Sequence, residues 1–232
     1  MSVEYKSIVP WGRSLTEYIE MFSLSDEDLK GSILGCGDGP ASFNDEMTQK
    51  GLSVVSIDPI YKFDSKLLEQ RIDKVYGHVL ERTRLNMDKY IWKNISSVEE
   101  LGKIRMDSME KFLADYEKGK LENRYIVGEL PSLQFKDDSF DLALASHLLF
   151  LYSEQLSLDF HIKSIDELCR VSKEVRIFPL LDMNSNRSPY VDEVIEYFTK
   201  EGYSACEEKV NYEFQKGGNK MLRIKKNGSP QH

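Results

Sequence analysis

Apolar residues recur along the 232-residue chain with two different periods, and the switch between them lays out the elements. Leu15, Tyr18, Ile19 and Phe22 stand three and four apart behind an S-x-x-E capping pattern, Ser14 with Glu17, so a helix is predicted over about 14–22. A short apolar run ending in Ile33 and Leu34 reads as a strand. A segment of helical composition follows, with Pro40 at its first helical position and Gly51 as its stop, and Ser53 to Ile57 reads as a second strand. Then come two helical stripes, Leu68, Ile72, Val75, Tyr76 and Val79, and Val98, Leu101, Met109, Phe112, Leu113 and Tyr116, the second opened by a Ser97/Glu100 capping pattern. They fill an insertion over 62–122, where a parallel connection needs only one helix.

Tyr125 to Val127 reads as the third strand, and Phe140 to Ala145 as a strand buried on both faces. A helix is predicted over about 153–171, a fifth strand from Val175 to Leu180, and a helix begun by Ser188 and Pro189 and stopped by Gly202. Glu207 to Phe214 and Met221 to Ile224 flank the glycine-bearing turn 215–220 as an antiparallel hairpin. The pattern predicts one α/β domain over 1–232, a mostly parallel sheet closed by an antiparallel hairpin and sandwiched by helices. Residues 227–232 are expected to be a disordered tail.

The chemistry concentrates where the first two strands end. Gly35, Gly37 and Gly39 alternate after the first strand, which suits a tight turn whose backbone approaches a ligand. Asp58 closes the second strand nineteen positions after Gly39, and Pro59 biases it away from helical geometry. A carboxylate at the carboxyl end of that strand can accept both hydroxyls of a ribose. A nicotinamide dinucleotide and S-adenosylmethionine compete for such a site. The dinucleotide fingerprint begun at Gly35 wants a small residue at position 40, where Pro40 stands; begun at Gly37 it ends on Ser42, a weak fit.

The run Leu34-Gly35-Cys36-Gly37-Asp38-Gly39, followed by an acid closing the next strand, resembles the class I, Rossmann-like S-adenosylmethionine-dependent methyltransferases. The stretch from Gly128 to Leu149 is similar to that family's third strand, adenine-side loop and fourth strand. The resemblance implies S-adenosylmethionine as cofactor, bound by Gly35, Cys36, Gly37 and Gly39 of the turn, Asp58 and Pro59 at the ribose, Glu129 and Leu130 at the adenine, and Ser146 at the end of the fourth strand. Arg13 would meet the methionine carboxylate, or else stand in solvent while Trp11 packs on the core. The sequence departs from the family at Ile33, where an acidic residue is common. The implied activity is methyl transfer to an unidentified small-molecule acceptor. Two other readings stay open, a catalytically silent cofactor-binding or scaffolding protein and a nucleotide-dependent oxidoreductase.

His147, beside Ser146, is the candidate base for a hydroxyl acceptor, or a histidine that merely fixes the strand end. The insertion reads as a lid or as a buttress, with Tyr76, Tyr90 and Trp92 suited to an apolar or aromatic substrate. The Asn-Pro-Pro-Tyr signature of amino-methyltransferases is absent, and with no Cys-x-x-Cys pair or clustered histidines no metal site is expected. A formal charge of −8 speaks against general nucleic-acid binding. Three scattered cysteines, Cys36, Cys169 and Cys206, suit a reducing compartment. The amino end shows no secretory pattern, and the apolar run Leu142 to Tyr152 is too short to span a bilayer, so a cytoplasmic protein is expected.

Overall fold

Seven strands form one sheet in the computed structural model, which describes residues 9–227. They are β1 (Ile33–Cys36), β2 (Val54–Ile57), β3 (Tyr125–Ile126), β4 (Phe140–Ser146), β5 (Ser172–Phe178), β6 (Tyr203–Lys209) and β7 (Lys220–Lys226). Their order is β3-β2-β1-β4-β5-β7-β6, with β1 to β5 parallel and β7 antiparallel to both neighbours. The order reverses between β1 and β4. Ligands of open α/β sheets bind at such a point, outside the carboxyl ends.

Each strand's alternate residues feed one of two apolar layers. Ile33, Val54, Leu142 and Leu144 pack under α1 (Leu15–Phe22) and α3 (Phe43–Gln49). Leu34, Cys36, Ile57, Ala143 and Ala145 share the other layer with residues of α6 (Leu158–Val171) and α7 (Val191–Lys200). Burial on both sides is why β1 and β4 from Leu142 on read as apolar runs. α1 carries the capping box expected of Ser14 and Glu17. The short α2 (Asp26–Lys30), capped in the same way by Ser25 and Asp28, was not legible in the apolar pattern because only Leu29 packs, partly buried, on the core.

The insertion holds α4 (Ser65–Arg84) and α5 (Val98–Leu121). Phe112 and Tyr116 of α5 pack with Ile60, Tyr61, Leu68 and Tyr125 in a third, aromatic cluster at the β3 edge. The link between the two helices crosses to the far side of the fold. Tyr90 stacks on Phe214 with centroids 4.8 Å apart, Trp92 meets the same ring edge-on at 5.4 Å, and Ile91 N–H donates to Phe214 O at 2.7 Å. Because β6 runs parallel to β5, the β6–β7 connection carrying Phe214 lies at the carboxyl ends of the parallel strands. The insertion therefore arches over those ends, from the β3 edge to the closing hairpin.

Several boundaries differ from the expectation. Pro40 is not the first helical residue: the turn continues through Ala41 and α3 starts at Phe43, because Ser42 N–H bonds outward to Arg13 O and Ser108 Oγ. The helix expected from about 153 starts at Leu158, where the Ser157 side chain caps it, behind a separate 3-10 turn at Phe150–Tyr152. The last helix starts at Val191 rather than at Ser188. β3 ends at Ile126, and Val127 is exposed. β5 runs from Ser172 to Phe178, not from Val175 to Leu180, since Pro179 has no N–H to continue the ladder. The hairpin strand is Tyr203–Lys209 rather than Glu207 to Phe214, for Val210 and Tyr212 turn inward and are buried in the core beneath α1. Of the expected tail, Asn227 is described and donates to Gly202 O at 2.6 Å; residues 228–232 lie outside the described residues. No helix among the described residues is long and apolar enough to cross a membrane.

Candidate functional site

The turn after β1 depends on its glycines. Gly37 has φ +71°, a conformation that L side chains rarely adopt, and a Cβ there would lie 2.9 Å from Leu148 Cδ2, which would have to move aside. Its N–H donates to Ile57 O at 2.9 Å, extending the β1–β2 ladder one residue into the turn. Gly39 N–H donates to Asp58 Oδ2 at 2.9 Å, and Ile60 N–H to Asp58 Oδ1 at 2.9 Å. Asp58 thereby caps the 3-10 turn that Pro59 opens and ties it to the glycine turn. Each carboxylate oxygen has accepted one bond and keeps one further acceptor position. Asp58 is buried, and burial pushes its carboxyl up to about 6 against the pull of the two backbone donors.

A second carboxylate lies beneath the same turn, and the sequence reading did not single it out. Asp38 accepts from the Tyr18 hydroxyl at 2.7 Å and from Ser56 Oγ at 2.6 Å. Gly35 is what admits it, because a Cβ at Gly35 would sit 1.9 Å from Asp38 Oδ2. Burial lifts the Asp38 carboxyl to about 7, with the two hydroxyl donors opposing and Asp58 adding to the rise. Ile33 is fully buried in the apolar layer under α1, where a carboxylate would find no partner. The signal was an aspartate inside a glycine turn.

Arg13 arrives from the strap before α1. A Cβ at Gly12 would lie 2.1 Å from Pro40 O and 3.0 Å from Met109 Cγ, so the strap threads between the glycine turn and α5. Ser42 N–H donates to Arg13 O at 3.0 Å and pins it there. The guanidinium donates from Nη1 to Trp11 O at 2.5 Å, while its buried Nε has no partner. Burial and then Arg105 lower its pKa. Trp11 packs on Tyr76 of α4, centroids 6.1 Å apart.

Ser146 and His147 close β4 as expected. His147 holds φ +51°, a conformation that costs a non-glycine residue, and its N–H donates to Phe178 O at 2.7 Å. Ser146 Oγ and His147 Nδ1 are 2.9 Å apart. Burial, then Arg13 and Arg105, hold the imidazole well below its usual value, so the ring is neutral at physiological pH. Tyr152, also missed, is half-buried nearby. Its hydroxyl makes no hydrogen bond among the described residues, and burial raises its pKa while Arg13 lowers it and Asp58 raises it, which puts it in the field of both.

Three expected residues stand apart from this group. The Cys36 thiol points into the apolar layer shared with α6, and burial pushes it well above its usual value, so Cys36 offers the crevice only backbone. Glu129 is exposed and Leu130 buried; they line a hollow of about 450 Å³ with Ile57, Ile126, Leu133 and Phe135, to which neither Asp58 nor His147 contributes. Among the described residues no group of His, Cys, Asp and Glu could hold a metal ion.

No family model matches the chain. The protein MJ0045 of Methanocaldococcus jannaschii, itself uncharacterized, is 36% identical over 222 residues, which cover 95% of this chain and 97% of that one. Among solved structures, WbdD bound to a kinase inhibitor superposes with a TM-score of 0.50 at 14% identity, over 92% of this chain and 40% of WbdD. Magnesium protoporphyrin IX methyltransferase from Synechocystis PCC 6803 superposes with a TM-score of 0.45 at 11% identity, over 87% of this chain and 73% of that one. By sequence the chain belongs to the family of the Methanocaldococcus jannaschii protein MJ0045, and its fold is Rossmann-like, a mostly parallel sheet closed by an antiparallel hairpin and flanked by helices.

Proposed function

We propose that the protein binds S-adenosylmethionine over the glycine turn and transfers its methyl group to a small-molecule acceptor. One observation carries the reading: hydrogen-bonding capacity is left over where β1, β2 and β4 end. Asp58 keeps an acceptor position on each oxygen, which suits a ribose diol, and Arg13 keeps an unpartnered Nε–H, which suits a carboxylate. Gly37 lets the backbone approach, and Glu129 and Leu130 stand on the loop that would face an adenine. The bound cofactor supplies a methyl group on a sulfonium, open to in-line displacement.

The chain's part is to hold, orient and dry the reactants. In the tautomer whose Nδ1–H donates to Ser146 Oγ, His147 has a bare Nε2 that accepts a proton from a hydroxyl acceptor; its depressed pKa keeps it unprotonated and ready. The arching insertion, with Trp11 packed on Tyr76, supports a covered crevice rather than an open groove, which favours a small molecule over a polymer. The overall negative charge agrees with that preference. Thermal shift tests the cofactor: S-adenosylhomocysteine should raise the melting temperature with dose while NAD does nothing. Stabilisation by NAD alone would overturn the reading.

A further inference from the structure

Two guanidinium groups, Arg105 fully buried and Arg13 half-buried, lie near one carboxylate in the wall of the crevice. Arg105 of α5, 1% exposed, donates from Nη1 to Glu17 Oε2 at 2.6 Å and to Gly12 O at 3.3 Å, and from Nη2 to the Tyr212 hydroxyl at 3.4 Å. That hydroxyl donates to Glu17 Oε1 at 3.2 Å, and Ser14 N–H donates to Oε2 at 3.0 Å. Glu17 Oε2 is thus filled by Ser14 and Arg105, and Oε1 is engaged by Tyr212, while neither bonds to Arg13. Arg13 is close enough for its charge to help hold the Glu17 carboxyl low, yet it makes no ion pair among the described residues, and its Nε is unpartnered. The cluster of Arg13, Arg105 and Glu17 carries one positive charge in excess of its one carboxylate.

We propose that Arg105 is a positioning residue: by taking Glu17 for itself, it leaves Arg13 an uncompensated cation that receives the carboxylate of the bound ligand. This rests on the reading that the crevice takes S-adenosylmethionine. Glu17 lies four positions after Arg13, at the third residue of α1, and is the nearest acid in sequence to the strap. Without Arg105 the carboxylate turns to Arg13 and quenches it. Since Arg105 sits on α5, the carboxylate end of the site is complete only when the insertion is docked.

Calorimetry with two probes tests the idea: S-adenosylhomocysteine, which carries the amino-acid carboxylate, and 5′-methylthioadenosine, which lacks it. Arg105→Met should weaken S-adenosylhomocysteine by roughly ten- to a hundredfold, the worth of a charge-assisted contact, and leave 5′-methylthioadenosine within about threefold. Adding Glu17→Gln to Arg105→Met should restore S-adenosylhomocysteine, because nothing then competes for Arg13. An unchanged S-adenosylhomocysteine affinity, an equal loss for both probes, or no restoration in the double variant overturns the proposal. Should Arg105→Met fail to fold, Glu17→Gln alone carries the test: undiminished S-adenosylhomocysteine affinity is expected, and a loss specific to that probe overturns the proposal. If the native protein binds neither probe, the cofactor reading falls first and this inference with it.

Discussion

Asp38→Asn should stabilise the ligand-free protein, and by more as the pH rises. The Asp38 carboxyl has an ordinary value of 3.8 and is lifted to about 7 in the fold, chiefly by burial. The native state therefore keeps a proton that the unfolded chain gives up between about pH 4 and pH 7, so stability falls as pH rises through that window and levels above it. At about 1.4 kcal/mol per pH unit, ionised Asp38 costs the fold ~4 kcal/mol at pH 8 but under ~2 kcal/mol at pH 5. Asparagine keeps the shape and still accepts from Tyr18. It gives up the bond from Ser56 Oγ, a loss of ~1 kcal/mol. The variant should gain ~3 kcal/mol at pH 8 and less than ~1 kcal/mol at pH 5. Urea denaturation of both proteins at half-unit steps from pH 5 to pH 8 measures the difference directly. A difference that does not change with pH, or that grows toward pH 5, would refute the claim that a charged carboxylate is buried under the turn.

Other outcomes follow from the same geometry. Asp58, lifted to about 6, must be ionised to accept two hydroxyls, so S-adenosylhomocysteine affinity by calorimetry should be level above pH 7 and fall about tenfold by pH 5. Asp58→Ala should weaken that ligand at least about tenfold at pH 7.5 and remove this pH dependence. Gly37→Ala places a methyl 2.9 Å from Leu148 at φ +71°, so it should lower the melting temperature and abolish cofactor binding, whereas Gly51→Ala, also at positive φ but with open space around it, should lower the melting temperature only. Hydrogen exchange over 65–121 should slow when S-adenosylhomocysteine and acceptor are both bound; exchange indifferent to ligands would make the insertion a buttress.

What could be read from the sequence was what local rules govern. The glycine turn, the acid closing β2 and the buried apolar strands each carry their signature within a few residues, and the structure puts Gly39 and Asp58 in hydrogen-bond contact. The β6 boundary was misplaced because Tyr203–Lys209, near the sheet's edge, alternates only weakly between exposed and half-buried residues. The stronger apolar signal of Val210 and Tyr212 belongs to residues that pack under α1 instead of entering the sheet. Arg105 was passed over because a charge within a helical stripe ordinarily turns to solvent. Its place, four after Leu101 and four before Met109 on the apolar face, was visible, but its partner Glu17 lies 88 positions away and only the tertiary fold brings them together. Asp38 was hidden by the same logic, its partners Tyr18 and Ser56 lying on two other elements.

A crystal structure with S-adenosylhomocysteine bound tests the central claim most directly. The account predicts the ribose hydroxyls on the two free acceptor positions of Asp58, the ligand carboxylate on Arg13 Nε, and the adenine beside Leu130. A ligand seated away from the glycine turn, for example in the hollow between Leu133 and Phe135, with Asp58 and Arg13 untouched, would contradict it.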